Sequence, residues 1–229
     1  MISDHNNPKS LSAKARSRRV RFFASLIESL YKTGLLKGKI RILDIGGTFQ
    51  FWQMNACHMP IDIIEIIEIV NILTIDAELK TIAGIAMKSY SGNALDVSSI
   101  HSSHYDIVHS NSLLEHVGDL SAQKAFASNV CQLGTYHFIQ TPCRSFPIEP
   151  HFYIPFFAFL PLSIKTFLHY NFSLGFMNKE KCWLQARINC ENTRLLTHKE
   201  LLHIFPNSKC IPERLFMLCK SWIITNMTN

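Results

Sequence analysis

The strongest constraint on the fold of this chain is a glycine turn that follows a short apolar run. Residues 41–50 read Arg-Ile-Leu-Asp-Ile-Gly-Gly-Thr-Phe-Gln, so the run ends around Asp44 and the pair Gly46 and Gly47. An apolar strand that ends in a glycine turn exposes backbone N–H groups at the carboxyl edge of a sheet, where open α/β folds bind their ligands. The segment therefore predicts a buried strand over 40–45, followed by a ligand-binding turn.

A second segment further along the chain repeats this pattern. Residues 105–117 read Tyr-Asp-Ile-Val-His-Ser-Asn-Ser-Leu-Leu-Glu-His-Val, which is again a strand ending in small polar residues before a helix begins. Strands and helices alternate around the two segments, and such alternation predicts a parallel sheet with helices on both faces. The predicted helices cover 10–33, 119–132 and 198–205, and the predicted strands cover 40–45, 63–72, 87–91, 105–110, 135–140, 209–216 and 219–225.

Taken together, residues 41–50 and 105–117 resemble the class I S-adenosylmethionine-dependent methyltransferases, in particular a bacterial subgroup with a type 11-like domain. The resemblance runs from Ile40 to Thr141. It implies a Rossmann-like, doubly wound mixed sheet of seven strands that finishes with an antiparallel pair. It also implies S-adenosyl-L-methionine as the cofactor, and methyl transfer to an oxygen or nitrogen atom of a small molecule, a glycan or a lipid-linked intermediate.

The resemblance also assigns cofactor contacts to positions of this sequence. In the family an acid and alternating glycines end the first strand; Asp44 and Gly46 fit that pattern, and Gly47 is an additional glycine. The family places an acid after the second strand to bind the ribose, where this chain has Asn71, an amide that can still hydrogen-bond a diol. On the adenine side, Asn93 stands in place of another acid. The full set of implied cofactor positions is Asp44, Gly46, Gly47, Thr48, Asn71, Asn93, Ala94, Asn111 and Ser112.

Two pairs of ionisable residues are candidates for the chemistry of methyl transfer. Glu115 and His116 follow the fourth predicted strand, and an imidazole is suited to remove a proton from an oxygen or nitrogen acceptor. Glu149 and His151 stand beside prolines that fix the backbone, which suits an aimed side chain and equally suits a rigid turn. The alternative roles for the first pair are a charge partner at a helix end for Glu115 and a hydrogen-bonded wall residue for His116.

The histidines and acids of this region do not predict a metal site. Some family members hold a divalent metal with a Glu-x-x-Glu-His pattern, but this chain has Ser112 at the first glutamate position. His101, His104 and His109 share no consistent face and have no nearby cysteine, so we expect them at the surface or at a sheet edge.

The composition agrees with a single globular domain. Of the 229 residues, 47% are hydrophobic and 17% are charged, which allows a full core. The seven cysteines form no C-x-x-C pair, which argues against disulfides or a thiolate zinc site and favours a reducing compartment. We recognise no secretory signal and expect a cytoplasmic protein. We divide the chain into a basic amphipathic helix over 1–36 and a methyltransferase domain over 37–229, with a substrate-side insertion or cap over 142–192.

Two further segments bear on the partners. Basic residues crowd 14–21 beside an amphipathic stripe, which predicts a helix over the cofactor edge or attraction to anionic lipid or a phosphate-bearing substrate. The segment 152–164 is the most apolar, but it is too short and too interrupted by prolines to span a bilayer. It predicts a buried cap, an acceptor pocket, a dimer face or an interfacial foot of Phe152, Phe156, Phe157 and Phe159 at the inner face of the membrane. Nucleic acid is disfavoured, because aromatic and basic residues do not interleave.

Two other functional classes are compatible with a glycine turn in an α/β fold. A reductase that uses NAD(P) expects G-x-G-x-x-G opening directly into a helix, and residues 46–51 lack that spacing. The stronger alternative is a methyltransferase-fold protein without activity, since the amides of Asn71 and Asn93 replace two acids of the family pattern. Such a chain would serve as a binding partner or scaffold.

Overall fold

The computed structural model describes residues 11–74, 79–96, 104–148, 152, 154–175, 177–215 and 217–228. Within them the helices are α1 (Leu11–Lys32), α2 (Phe49–Asn55), α3 (Ile61–Ile66), α4 (Leu120–Leu133), α5 (Leu162–Asn171), α6 (Trp183–Glu191) and α7 (His198–Ile204). The strands are β1 (Ile40–Ile45), β2 (Ile67–Thr74), β3 (Leu79–Ile82), β4 (Ile85–Ser91), β5 (Tyr105–Asn111), β6 (Gly134–Pro142), β7 (Lys209–Leu215) and β8 (Leu218–Thr225). Short 3-10 turns cover Ala56–His58, Leu114–His116 and Phe157–Phe159.

The strands form a mixed sheet in the order β3-β4-β2-β1-β5-β6-β8-β7. Strand β1 lies between β2 and β5 and is parallel to both, and β2 is also parallel to β4. The outer pairs β3–β4 and β7–β8 are antiparallel. The predicted Rossmann-like α/β class and the final antiparallel pair are therefore confirmed, whereas the described residues form eight strands instead of the seven expected.

The helix α3 corrects the predicted second strand. The apolar run over 63–72 cannot be assigned to helix or strand by periodicity alone, and we interpreted all of it as strand. In the structure Pro60 caps a helix with Asp62 in its first turn, where an acid favours the helix dipole. Ile63 and Ile67 are buried four residues apart, which is a helical spacing, and the strand begins only at Ile67.

The additional strand β3 forms a hairpin with β4. The two-residue turn of Ala83 and Gly84 has φ values of 51° and 84°, as a type I′ turn requires, and it pairs Ile82 with Ile85. Leu79 and its neighbours are largely exposed at this edge, so no buried apolar pattern marked the strand in the sequence.

The chain divides into two compact units, described here one at a time. Unit 1 comprises Met1–Ser110, Val130–Phe138 and Asn226–Asn229. In it, α1 packs its apolar face inward: the Phe23 ring lies 5.0 Å from the Phe138 ring and 5.3 Å from the His109 ring. This helix matches the predicted helix over 10–33 to within a residue at each end.

Unit 2 comprises Asn111–Asn129 and Ile139–Thr225. Its apolar segment is divided between two environments, since Phe152 and Phe157 are buried with Cys190, whereas Phe156 and Phe159 are 61% and 56% exposed.

The helix α7 begins with a capping box, in which the Thr197 hydroxyl accepts from the Glu200 N–H. No helix in the described ranges is long and apolar enough to cross a membrane.

Acid is expected to destabilise the protein through His137. This side chain is buried in unit 1, and burial lowers its pKa to about 4. A histidine in the unfolded chain has a pKa near 6.5, so the unfolded state binds the extra proton first as the pH falls. The stability is therefore retained above pH 6.5 and lost as the pH falls towards 4. We expect the urea-unfolding free energy to fall by on the order of 3 kcal/mol over that window through this residue.

The free energy of unfolding of His137→Leu should depend less steeply on pH, because the variant no longer binds about one extra proton on unfolding. An identical slope in His137→Leu and in the unmodified protein would contradict the assignment.

Candidate cofactor-binding edge

The turn after β1 begins with Gly46, which is exposed and has φ +75°. This left-handed conformation is readily adopted by glycine and strained for a branched residue. The Gly46 N–H donates to the Leu73 carbonyl oxygen at 2.9 Å, which extends the β1–β2 ladder to the start of the turn. Thr48 then caps α2, because its hydroxyl accepts from the Phe51 N–H at 3.1 Å. The predicted glycine turn is present, with Gly46 and Thr48 at its exposed side.

Gly47 is required in the turn for a different reason. It is buried, and a Cβ atom at this position would lie 1.9 Å from Asp44 Oδ2 and 2.3 Å from Asp44 Cγ. The backbone of the turn therefore lies directly against the Asp44 carboxylate, at a distance that only glycine permits.

The Asp44 carboxylate is fully buried, and both of its oxygens are bound within unit 1. Oδ1 lies 2.7 Å from His109 Nδ1, and Oδ2 accepts from Trp52 Nε1 at 2.8 Å. An ionised carboxylate only accepts hydrogen bonds, so this contact requires the His109 tautomer with a proton on Nδ1. Asp44 thus supports the turn from inside the protein and does not present its carboxylate to a ligand.

His109 corrects our expectation of a surface or sheet-edge residue. It is 2% exposed and lies directly opposite Asp44 in the parallel pairing of β1 and β5. Its ring is surrounded by four aromatic side chains at centroid distances of 5.3 to 5.8 Å, namely Phe23, Phe51, Trp52 and Phe138. Sequence analysis also missed Trp52. The only sequence signal for the contact between Asp44 and His109 was that each is an ionisable residue among the last three positions of its strand.

The predicted ribose position does not lie at the end of its strand. Asn71 pairs with Leu43 and with Lys88 inside the sheet, and β2 continues to Thr74. The placement of Asn71 at the strand end is therefore wrong, because the strand starts and ends later than predicted. The next acid along the chain is Asp76, which lies outside the described residues.

The predicted adenine-side loop follows β4, as expected. Asn93 is exposed, and its side-chain oxygen accepts from the Leu95 N–H at 2.9 Å, which forms a turn in which the side chain replaces a backbone carbonyl. Ala94 is half-buried beside it. The Asn93 side-chain oxygen is therefore used within the loop.

The predicted cofactor positions Asn111 and Ser112 belong to unit 2, whereas β5 up to Ser110 belongs to unit 1. Asn111 is the last residue of β5 and is half-buried. Ser112 is exposed and has φ +55°, a conformation that is uncommon for a residue other than glycine and that recurs at functional sites. Gln140 holds it there, since the Ser112 N–H donates to the Gln140 carbonyl oxygen at 3.0 Å and its hydroxyl donates to Gln140 Oε1 at 2.8 Å.

The two neighbouring residues predicted for catalysis, Glu115 and His116, differ in exposure. Glu115 is fully buried, its Oε2 accepts from the Thr141 hydroxyl at 2.9 Å, and its backbone oxygen accepts from the Arg194 N–H at 2.8 Å. His116 is exposed at the end of the 3-10 turn. Burial and these bonds favour a structural role for Glu115. The second predicted pair, Glu149 and His151, lies outside the described residues.

A polar network in unit 2 holds the turn that carries Glu115. Gln123 Nε2 donates to the Leu114 and Arg194 carbonyl oxygens, and its Oε1 accepts from the Arg194 guanidinium at 2.6 Å. Arg194 also pairs with Glu200. Burial alone would raise the pKa of Glu200, but hydrogen bonds from Thr197 and Arg194 lower it to about 2, so this carboxylate stays ionised.

No protein-family model and no curated protein matches the chain, so its similarity to known proteins is structural. A magnesium protoporphyrin IX methyltransferase from Synechocystis PCC 6803, solved with bound SAH, is similar with a TM-score of 0.51 and 10% identity, over 98% of this chain and 89% of that one. The CurJ carbon methyltransferase is similar with a TM-score of 0.51 and 13% identity, over 90% of this chain and 53% of that one. At these identities the similarity shows only that this chain shares its α/β fold with those two proteins.

Proposed function

We propose that this protein is an S-adenosylmethionine-dependent methyltransferase that acts on an oxygen or nitrogen atom of a small molecule, a glycan or a lipid-linked intermediate. The observation that carries the proposal is the turn after β1, in which Gly46 is exposed and left-handed above a buried Asp44. This turn lies at the carboxyl end of a central parallel strand, where open α/β sheets bind ligands. The similarity in fold to methyltransferases supports the same conclusion.

The proposed contacts follow from exposure. Gly46 and Thr48 would lie against the methionine part of the cofactor, and the loop of Asn93 and Ala94 against the adenine. Asn111 and Ser112, which belong to unit 2, stay candidates from the sequence. Asp44 and Gly47 would act indirectly, by holding the backbone of the turn in position. Asn71 is no longer proposed to bind the ribose, because it lies within β2.

Methyl transfer from this cofactor requires few catalytic groups from the protein. The cofactor supplies a methyl group on a sulfonium, whose leaving group is already activated. The chain has to align the acceptor, exclude water and, for a protonated acceptor, remove a proton. Among the described candidates, His116 is the better base, since it is exposed while Glu115 is buried; Glu149 and His151 remain candidates from the sequence.

Calorimetry with S-adenosylmethionine and with NADH tests the proposal against both alternatives. We expect saturable binding of S-adenosylmethionine and none of NADH. Binding of NADH alone would support a reductase, and binding of neither would support a scaffold that kept the fold without the cofactor. The scaffold is the stronger of the two alternatives, because Asn93 stands in place of an acid and no described residue is identified as the ribose contact.

Contact with a membrane surface stays a prediction. The exposed Phe156 and Phe159 would serve an interfacial foot, whereas the buried Phe152 and Phe157 would not, so at most half of the predicted foot is available. Co-flotation with anionic liposomes that weakens with salt would support it, and no co-flotation at either salt concentration would exclude it.

A further inference from the structure

Two cysteines of unit 2 lie side by side on neighbouring parts of the sheet. Cys143 directly follows β6, Cys219 is the second residue of β8, and these two strands are adjacent. The Cys143 N–H donates to the Lys220 carbonyl oxygen at 2.9 Å, and the Cys143 thiol contacts the Cys219 thiol as a side-chain hydrogen-bond partner. The two cysteines are far apart in the sequence, so the spacing of the cysteines did not indicate the pair.

A bulge in β8 explains why both thiols lie on one face. Successive residues of a regular strand point to opposite faces, so a strand that places Lys220 opposite Cys143 would turn Cys219 away. The pairing of β7 with β8 shifts by one residue at this point, and Lys220 is the extra residue of the bulge. A bulge redirects the neighbouring side chain, which here brings the Cys219 thiol to Cys143.

The surroundings of the pair determine how its thiols react. Cys143 is 5% exposed and Cys219 is half-buried, so a small reagent reaches Cys219 first. Burial and the adjacent Cys143 thiol raise the pKa of the Cys219 thiol, whereas the nearby Arg214 guanidinium lowers it. A thiol with a raised pKa is mostly protonated and attacks slowly, so the pair stays reduced during a brief exposure to an oxidant.

We propose that Cys143 and Cys219 are a site of reversible disulfide formation, which links the end of β6 to β8. The oxidant is a disulfide of low molecular weight. The Cys219 thiolate attacks one sulfur of this reagent, which forms a mixed disulfide and releases one thiolate. The Cys143 thiolate then attacks the Cys219 sulfur and releases the second thiolate. The reagent thereby gains the two electrons and the two protons that the protein loses.

The link acts on a strand end that supports one of the predicted catalytic residues. Two residues before Cys143, the Thr141 hydroxyl donates to Glu115 Oε2 at 2.9 Å, and Glu115 lies in the 3-10 turn that ends at His116. A covalent bond at Cys143 therefore restrains the part of the chain that holds this turn. An effect on methyl transfer through His116 rests on the proposed function, whereas formation of the disulfide does not.

Equilibration with oxidised glutathione tests the proposal in the full chain. Cys57, Cys131 and Cys182 are exposed, so all three are first replaced by serine to prevent links between molecules. After prolonged equilibration we expect a single peptide pair joined through Cys143 and Cys219 in the mass spectrum, and dithiothreitol should restore both thiols. A glutathione adduct on Cys219 alone, or a disulfide between other cysteines, would overturn the proposal.

Single replacements identify the two thiols. No internal disulfide should form in Cys143→Ser or in Cys219→Ser. The matched control is Cys210→Ser, which removes a half-buried cysteine that pairs with Ile224 in the β7–β8 hairpin and should leave the link intact. An internal disulfide that persists in Cys143→Ser would contradict the assignment.

Urea unfolding shows whether the native fold favours the link. A disulfide between distant residues that fits the folded structure restricts mainly the unfolded chain. We therefore expect the unfolding equilibrium constant of the linked protein to be at least about thirtyfold lower than that of the reduced protein. Unchanged or lower stability would mean that folding does not bring the two thiols together, and it would overturn the proposal.

Failure of this inference and failure of the proposed function give different results, because neither measurement involves S-adenosylmethionine. A protein that binds the cofactor but forms no link would leave the methyltransferase proposal and remove the disulfide site. A protein that forms the link but ignores the cofactor would leave a redox-sensitive scaffold.

Discussion

Replacing Gly46 with valine is expected to weaken binding of S-adenosylmethionine by roughly a hundredfold, equivalent to about 2.7 kcal/mol. Two physical effects combine at this position. Gly46 has φ +75°, which a β-branched residue adopts only with strain, and it is exposed where the proposed cofactor contact would require the absence of a side chain. Calorimetric titration measures the affinity, and urea unfolding measures how much of the loss comes from an altered turn.

Gly46→Asn separates the two effects. Asparagine tolerates the left-handed region better than most residues, so this variant should keep the turn and nearly the stability of the unmodified protein. It still adds a side chain at the proposed contact, and affinity should fall by about tenfold or more. Unchanged affinity in a folded Gly46→Asn protein would mean that the cofactor does not approach this turn.

Gly38 offers the matched control. It has φ +66°, it is exposed in the connection between α1 and β1, and a Cβ atom there would meet no other atom within 4 Å. Gly38→Val and Gly38→Asn should therefore reproduce the backbone strain of the Gly46 variants without changing the affinity for S-adenosylmethionine. A loss of affinity at Gly38 equal to that at Gly46 would show that strain alone explains both.

The sequence predicted β1 to the residue and the helix α1 to within one residue at each end, because their apolar patterns are strong and their ends are marked by glycine or polar residues. It could not predict where α3 gives way to β2. Both elements draw on one isoleucine-rich stretch, and only tertiary burial decides that Ile63 belongs to a helix. The misplacement of Asn71 at a strand end is a separate error at the other end of the strand, because β2 continues to Thr74.

The hairpin of β3 and β4 could have been recognised. Ala83-Gly84 between two short β-prone runs is a two-residue turn signal, and Gly84 supplies one of the two positive φ values that the turn needs. The strand was missed because its side chains are exposed at a sheet edge, so the apolar alternation on which strand prediction rests was absent.

The support of the glycine turn could not be derived from the sequence at all. Asp44 and His109 are 65 positions apart, and their contact depends on β1 and β5 being neighbours in the sheet in one particular register. The resemblance to methyltransferases identified Asp44 as part of the cofactor site. The structure gives it a different task, since its oxygens bind His109 and Trp52 inside the protein and leave Gly46 at the exposed edge.

Adding a single methyl group at Gly47 is expected to cost more stability than any other alanine substitution in the turn, on the order of 3–5 kcal/mol. The new Cβ would lie 1.9 Å from Asp44 Oδ2, far inside contact distance. The carboxylate has no space to retreat without losing hydrogen bonds to His109 and Trp52, and both groups would then be buried donors without an acceptor. Urea unfolding of Gly47→Ala measures this cost.

A double-mutant cycle with Asp44→Ala tests whether the carboxylate is the cause. Asp44→Ala alone should be strongly destabilising, since it leaves the same two donors unpaired. In that background the Gly47 methyl group meets no carboxylate, so Gly47→Ala should add little further loss, and the two effects should fall short of additivity by roughly 2–3 kcal/mol. Additive losses would mean that Gly47 is needed for a contact other than Asp44. Strong coupling would instead establish that the exposed turn of the cofactor edge is positioned by a buried carboxylate held by His109 and Trp52.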